Sequence, residues 1–331
     1  MRCRLPSHAR AVVPALAVSL ALASPSTLAQ QRYPERPVKV VVAFAPGGNN
    51  DVPVRIVTAK LAETWGAPIV VDNRAGAGGI VGTEYVAKAP ADGYTLLNCN
   101  SATHAVNPAL HKKLPYDPLR HFSTVALIGS SPNVLIVPAS SPLRTAREFL
   151  GDAKANPNKL SVGTAGIGST QHFSLELLKA MTQTQIVHVP FKGGSLALSD
   201  VIAGQLPAAI TGLPTALTAI KAGKVRALAV TAGVRSKHLP DLPTLAESGV
   251  QGYEVTTWTG LCAPAGTPRS VLEQLNADVQ RVLEATDTRQ KLLDAGVEPT
   301  FLPAAQLSTL IASEVARFSR IAADAGIVAE Q

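Results

Sequence analysis

Two glycine-rich turns near the amino terminus carry the strongest chemical signal in this chain. Residues 45–51 (APGGNND) follow a strand-like run at 39–44, and residues 74–79 (RAGAGG) follow another at 69–73. Each turn precedes a helix-like segment. Glycine lets the backbone approach a ligand closely, and a helix start presents unpaired N–H groups. The pair therefore predicts that an anion is bound without a charged side chain.

Two further turns, at residues 100–104 and 164–170, have the same setting and are rich in Ser, Thr and Gly. All four would lie at the carboxyl ends of strands, where open α/β sheets bind ligands. One such turn could be a tight turn with capping glycines, but four in one chain favour a ligand site. The candidate ligand-binding residues are Phe44, Ala45, Pro46, Gly47, Gly48, Asn49, Asp51, Gly76, Ala77, Gly78, Gly79, Ser101, Thr103, His104, Ala165, Gly166, Gly168, Ser169 and Thr170.

The motifs of nucleotide and hydrolytic chemistry are missing from the sequence. A dinucleotide fingerprint starting at Gly76 would need glycine at position 81, which is Val81. There is no G-K-[ST] and no G-x-S-x-G, and the scattered histidines form no zinc pattern. We therefore predict no cofactor and no metal.

Three polar side chains have two interpretations each. Asp51 fits either a first-turn carboxylate of a helix or a contact with an amine or hydroxyl of a ligand. His104 and His172 fit either hydrogen-bonded structural histidines or ligand contacts. No carboxylate pair has a spacing that demands acid–base chemistry, so we predict a protein that is not an enzyme. The alternative, an exported enzyme, would depend on Asp51, Thr103 and His104.

The amino terminus has the pattern of a signal peptide. Three arginines precede an apolar stretch at residues 11–23, and small residues at 27–29 predict cleavage near Ala29. The protein is thus expected to be exported, and in an oxidising compartment Cys99 and Cys262 could form a disulfide or remain two buried thiols. The formal charge of +7 includes the three arginines of that segment, and few aromatic residues are present, so nucleic-acid binding is not expected.

Strand-like and helix-like segments alternate along the chain, first as βαβαβ and then again from about residue 134. The first unit has only three strands, and the closing helices need a surface to pack on. We therefore predict an α/β fold of two lobes with a ligand cleft between them. Lobe 1 would comprise residues 30–131 and 256–331, and lobe 2 residues 132–255, after a signal peptide at 1–29. No interface pattern stands out, so a monomer is expected.

Ordered motifs along the whole chain resemble those of Bug receptors, the extracytoplasmic solute-binding proteins (TctC-like) of tripartite tricarboxylate transporters. The matching motifs lie at residues 33–38, 44–48 with Asp51 and Arg55, 71–79, 91–96, 153–157, 163–169, 188–194, 258–260 and 263–268. The resemblance implies a periplasmic binding protein type II-like fold that closes on its ligand. The implied ligand is a small carboxylate: a dicarboxylate, tricarboxylate, acidic amino acid or aromatic acid.

The resemblance also implies where that carboxylate lies. Backbone groups and ordered waters of residues 44–49 and 76–79 would hold it, with second-lobe contacts from residues 165–170. The implied partner is a cognate membrane permease, and a membrane sensor is the alternative. Asn49 and Asn50 depart from the Ser, Thr or Pro that family members often carry, and Asn98-Cys99-Asn100 is also unusual. Because these departures lie near the expected pocket, the resemblance does not identify the ligand.

Overall fold

The computed structural model describes Met1 and residues 33–328. The predicted signal peptide lies, apart from Met1, outside the described residues. The first part of the chain has the predicted βαβαβ order, with the turns between its elements. Its elements are β1 (Val38–Val42), α1 (Asp51–Trp65), β2 (Ile69–Asn73), α2 (Ile80–Ala87) and β3 (Thr95–Asn100). Strand β1 lies between β2 and β3 and is parallel to both.

A short connection then leads into the longest strand. It contains a π-helical turn (Ala102–Val106) and α3 (Asn107–Leu110), followed by β4 (Phe122–Pro138). The next elements are α4 (Ala146–Ala155), β5 (Ser161–Thr164), α5 (Thr170–Thr182), β6 (Val187–Pro190), α6 (Gly194–Ile202), β7 (Ala208–Gly212), α7 (Leu213–Lys221) and β8 (Val225–Val230). Strand β5 is parallel to β6 and β7, whereas β4 is antiparallel to β7 and β8.

The chain returns to the first sheet through β9 (Thr256–Pro264), which pairs antiparallel with β3 and β4. It closes with α8 (Arg269–Glu284), α9 (Thr286–Asp294), β10 (Glu298–Pro303) and α10 (Ala304–Ala325). Strand β4 runs through both sheets: Pro132 still pairs with Thr256 of β9, and Asn133 pairs with Gly212 of β7. The fold is thus the predicted mixed α/β architecture, in which two sheets share one strand. The exact lobe boundaries stay a prediction.

Local sequence explains several element boundaries. Helix α4 begins with a capping box, in which the Thr145 hydroxyl accepts from Glu148 N at 3.1 Å and the Glu148 carboxylate accepts from Thr145 N at 3.1 Å. Helix α1 ends at Gly66, whose φ of 63° is the left-handed cap that glycine adopts most easily. Strand β1 is almost entirely apolar because helices cover both faces of a parallel sheet.

The last helix packs against both halves of the molecule. Leu307 and Ile311 lie in the core beneath β3 and β9, whereas Phe318 and Ala322 lie in the core that contains Phe173 of α5. Phe173 and Phe318 meet edge to face, with ring centroids 4.8 Å apart. A helix of 22 residues is about 33 Å long, which is enough to span both cores.

Of the two alternatives for the cysteines, the structure shows the disulfide. Cys99 of β3 and Cys262 of β9 are bonded, with their Cα atoms 5.7 Å apart. Both residues are fully buried. The bond therefore joins the predicted first unit to the strand with which the chain returns to it.

Candidate ligand-binding site

The first glycine turn is held in place by a buried carboxylate. Asp51 is 1% exposed and accepts from Gly47 N at 2.8 Å, from Arg55 Nε at 2.7 Å and from Asn73 Nδ2 at 2.8 Å. Asn73 Nδ2 also donates to Phe44 O at 2.9 Å. Asp51 therefore ties the turn after β1 to the end of β2, as a structural carboxylate.

This network carries a stability prediction. We expect Asp51→Asn to lower the free energy of unfolding by about 2–3 kcal/mol, because it removes charge-assisted hydrogen bonds from a buried position. Urea unfolding of both proteins measures the change. The matched control is Asp324→Asn at an exposed carboxylate. Equal effects of the two substitutions would contradict a structural role for the Asp51 network.

The second glycine turn has an unusual backbone. Its four residues Gly76, Ala77, Gly78 and Gly79 have φ values of 152°, 45°, 60° and 95°. Such values strain most side chains but not glycine. Gly78 O accepts from Asn107 Nδ2 at 3.0 Å, which fixes the turn from the side of α3.

Residues of the second sheet close directly onto both turns. A Cβ atom added to Gly78 would collide with the Ile167 carbonyl oxygen, and one added to Gly193 would lie 2.6 Å from Ala45 Cβ. Ser195 Oγ donates to Pro46 O at 2.9 Å across the same contact. The cleft is therefore closed in this structure, and glycine is what permits the close approach.

Two adjacent chambers lie in the closed cleft. The large chamber has a volume of about 230 Å³ and is lined by Phe44, Gly76, Ala77, Gly78, Gly79, Ala165, Gly166, Ile167, Pro190, Phe191 and Lys192. Among these described residues, only Lys192 has an ionisable side chain.

The small chamber has a volume of about 10 Å³ and shares Phe44 and Ala165 with the large one. Its other lining residues are Gly48, Asn49, Asn50, Gln171, Gly194, Thr211, Gly212 and Thr215. None of these lining residues is ionisable. A third cavity, of about 670 Å³ around Arg226 and His238, includes no residue of the four turns.

The chambers bring together nine of the predicted site residues and leave ten outside. Those outside are Ala45, Pro46, Gly47, Asp51, Ser101, Thr103, His104, Gly168, Ser169 and Thr170. Several have other partners: Ser101 Oγ accepts from Trp258 N at 2.7 Å, Ser169 caps α5, and Thr170 Oγ1 lies 2.9 Å from Thr257 Oγ1. The candidate ligand site therefore excludes these ten residues.

Sequence reasoning missed ten lining residues, and five of them have polar side chains: Asn50, Gln171, Lys192, Thr211 and Thr215. Thr211 and Thr215 flank Gly212-Leu213-Pro214, with the proline in the first turn of α7. A strand followed by glycine and an early helical proline is the same signal that marked the other turns. Lys192 precedes a Gly-Gly pair that follows β6, and this strand-to-glycine pattern was a second signal in the sequence.

His104 is a buried neutral histidine. Burial lowers its pKa to about 3. Its Nδ1 lies 2.9 Å from Thr103 Oγ1, and its ring packs 5.0 Å from that of Phe122. His172 is similar, since burial and then the nearby His188 lower its pKa to about 3. The His172 Nδ1 atom accepts from Gly168 N at 3.3 Å, and these partners favour the structural interpretation of both histidines.

Buried neutral histidines predict a loss of stability in acid. Between about pH 6.5 and pH 3 the unfolded chain binds protons at these positions that the folded chain does not, so the stability present above pH 6.5 falls as the pH drops. For His104 alone the loss between pH 7 and pH 4.5 is about 2–3 kcal/mol. Urea unfolding at both pH values measures the change. We expect His104→Gln to lack this part of the loss in unfolding free energy, whereas His121→Gln, at an exposed position, should retain the full loss. An unchanged pH dependence in His104→Gln would refute the prediction.

Neither a metal site nor a membrane-spanning helix is found in the described part of the chain. Between residues 33 and 328 no cluster of three His, Cys, Asp or Glu side chains could hold a metal ion. No helix in the same range is both long enough and apolar enough to cross a bilayer.

Two α/β sheets that share a strand and close on a cleft define a two-lobed solute-binding protein. Residues 54–327 match the tripartite tricarboxylate transporter family receptor, and the chain belongs to this family. It is 40% identical over 317 residues to a UPF0065 protein from the tcbD-tcbE intergenic region of a Pseudomonas species, covering 95% of this chain and 94% of that one. It is 34% identical over 295 residues to Protein BugT of Bordetella pertussis, covering 89% and 90%.

Solved structures of the same kind have this fold. Rpa4515 of R. palustris with adipate superposes with a TM-score of 0.86 at 38% identity, covering 89% of this chain and 99% of that one. MatC from Rhodopseudomonas palustris with bound malate superposes with a TM-score of 0.82 at 36% identity, covering 87% and 99%. Two further solved structures that resemble this chain are described as a periplasmic transporter and as the periplasmic binding protein BugD.

Proposed function

We propose that this protein captures a small organic carboxylate in the large chamber and delivers it to a tripartite tricarboxylate-type membrane permease. The observation that carries the proposal is the convergence of Phe44 and residues 76–79 from the first sheet with residues 165–167 and 190–192 from the second around that chamber. A volume of about 230 Å³ suits a ligand smaller than a drug-sized molecule. Relatives that were solved with adipate and malate support the carboxylate class.

The lining has the chemistry that an anion needs. Residues 76–79 offer backbone rather than side chains, so polar N–H groups can come within reach of a carboxylate. Lys192 adds the positive charge. Lys192 itself is exposed, and Phe44, Ile167 and Phe191 provide the apolar part of the lining.

Closure is expected to trap the ligand rather than to transform it. Asp51 and His104, the side chains that an enzyme on this scaffold would use, are engaged in buried hydrogen bonds and do not line either chamber. We therefore infer a binding role without catalysis, metal or cofactor. Export through the predicted signal peptide would place the protein, as a monomer, in the periplasm beside its permease.

A panel of organic acids in thermal-shift and calorimetric assays tests this function. A ligand that binds only the folded state stabilises it and so raises the melting temperature. At a free ligand concentration of 100 times the dissociation constant, the stabilisation is about 2.7 kcal/mol. We expect at least one small carboxylate to do so and neutral sugars and divalent metals not to. Stabilisation by a sugar or a metal, with no response to any acid, would overturn the proposal.

A further inference from the structure

We propose that the small chamber recognises a hydroxyl group of the ligand, so that the receptor selects hydroxylated carboxylates over their deoxy parents. The inference rests on the proposed function, since it assumes that the ligand's carboxylate occupies the adjacent large chamber. It concerns selectivity, which the glycine turns do not supply. Phe44 and Ala165 line both chambers, so one ligand could reach from one into the other.

Four buried polar atoms at the small chamber lack hydrogen-bond partners in the described part of the chain. They are Asn49 Nδ2, Asn50 Oδ1, Thr211 Oγ1 and Thr215 Oγ1. Asn49 and Asn50 are 7% and 6% exposed, and Thr211 is fully buried. Because each unpaired buried polar group costs about 1–3 kcal/mol, a partner that enters the chamber would recover much of that free energy.

The types of these atoms match a hydroxyl group. Asn49 Nδ2 donates and Asn50 Oδ1 accepts, while each threonine hydroxyl can do either. A ligand hydroxyl can donate one hydrogen bond and accept two, so it can satisfy both asparagines at once. A methyl or methylene group would leave all four atoms unpaired. A carboxylate could only accept, and it would face Asn50 Oδ1 with no cation among the lining residues.

The size of the small chamber also favours a hydroxyl group. About 10 Å³ holds roughly one water-sized group, which fits a hydroxyl but not the three heavy atoms of a carboxylate. The walls resist enlargement. Asn49 Oδ1 accepts from Ser131 Oγ at 2.9 Å, and Gln171 Nε2 donates to Asn133 Oδ1 at 2.8 Å. The Asn49 side chain also fills the space beside Gly212, where a Cβ would collide with it.

The chamber exists only in the closed protein. Asn49 and Asn50 follow β1 in the first sheet, whereas Thr211 and Thr215 lie at the end of β7 and the start of α7 in the second. A hydroxyl that bonds to both sides therefore stabilises the closed state directly. A deoxy ligand of the same length gains the carboxylate contacts but not this link across the cleft.

Calorimetry with pairs of acids that differ by one hydroxyl group tests the inference. The probes are succinate with malate, glutarate with 2-hydroxyglutarate, and the C3–C6 alkanoates with their hydroxyalkanoates. We expect the hydroxylated member of the best pair to bind at least about 100-fold more tightly, because a site built to bond a hydroxyl discriminates strongly against its absence. In the Thr211→Val and Thr215→Val double variant, which removes both second-sheet partners and with them the link across the cleft, this ratio should fall by at least about tenfold.

Thr218→Val is the matched control, since Thr218 lies on the exposed side of the same helix and should leave the ratio unchanged. The inference is overturned if no hydroxylated acid exceeds its parent by tenfold, or if the preference survives both threonine substitutions. It is also overturned if the substitutions lower only the melting temperature, as loss of a structural water would. If no acid of either kind binds, the proposed function fails instead.

Discussion

Gly78→Ala should weaken carboxylate binding by at least about 100-fold, equivalent to about 2.7 kcal/mol, while the protein stays folded. Gly78 has a φ of 60°, and a Cβ at this position would collide with the Ile167 carbonyl oxygen and lie 3.0 Å from Gly168 Cα. These are backbone atoms of the opposite sheet, so the collision is relieved only by moving the two turns apart. An opened cleft loses the second-sheet wall of both chambers. Isothermal titration calorimetry with the best acid of the panel measures the effect.

The control separates closure from backbone strain. Gly66 lies in the same sheet unit with a φ of 63°, and a Cβ there would have no atom within 4 Å. Alanine at either glycine adopts a left-handed conformation at a cost of about 1–2 kcal/mol, so both variants lose similar intrinsic stability. We expect Gly66→Ala to bind like the wild type. Equal affinities of the two variants would show that contact between the turns does not contribute to binding.

Removing the disulfide should produce the largest loss of folding stability. The bond between Cys99 and Cys262 closes a loop with a sequence separation of 163 residues. Loop-closure entropy predicts that the Cys99→Ala and Cys262→Ala double variant loses about 4–5 kcal/mol of unfolding free energy. Urea unfolding measures this loss.

The reducing agent dithiothreitol provides the matched condition. It should shift the unfolding midpoint of the wild type toward that of the double variant and leave the double variant unchanged. The measurement is made under conditions that unfold the protein and expose the bond. If dithiothreitol does not shift the unfolding midpoint of the wild type there, the cysteines are unpaired thiols.

The sequence predicted those parts of the fold that depend on local patterns. The βαβαβ run and its turns were predictable because apolar strands and glycine turns follow one another within about 60 residues. Strand β10 was not, since Pro299 and Pro303 interrupt the pattern that marks a strand. The sequence predicts the second unit only from about residue 134, because Gly129, Ser130 and Pro132 indicate a loop until β9 and β10 are present to pair with the first part of β4.

The candidate site was predictable in its backbone but not in its side chains. Gly76, Gly78 and Gly79 predict a close approach of another segment to the backbone, whatever residues that segment contains. Thr211 and Thr215 become neighbours of Asn49 only when β4 brings the second sheet against the first, about 160 residues along the chain. For Asp51 the local pattern fits two roles equally. In the structure the Asp51 carboxylate accepts hydrogen bonds from three groups, one of which belongs to the distant residue Asn73, and these bonds favour the structural role.

Affinity for one acid and for its own uncharged analogue tests most directly whether the large chamber binds a carboxylate. Isothermal titration calorimetry of the purified protein should use the carboxylate that raises the melting temperature most, and then its primary amide in place of that carboxylate. We expect the acid to bind and the amide to bind at least about 100-fold more weakly, since anion recognition by residues 76–79 and Lys192 is lost. Equal affinity for the amide would contradict the assignment of the large chamber as a carboxylate site.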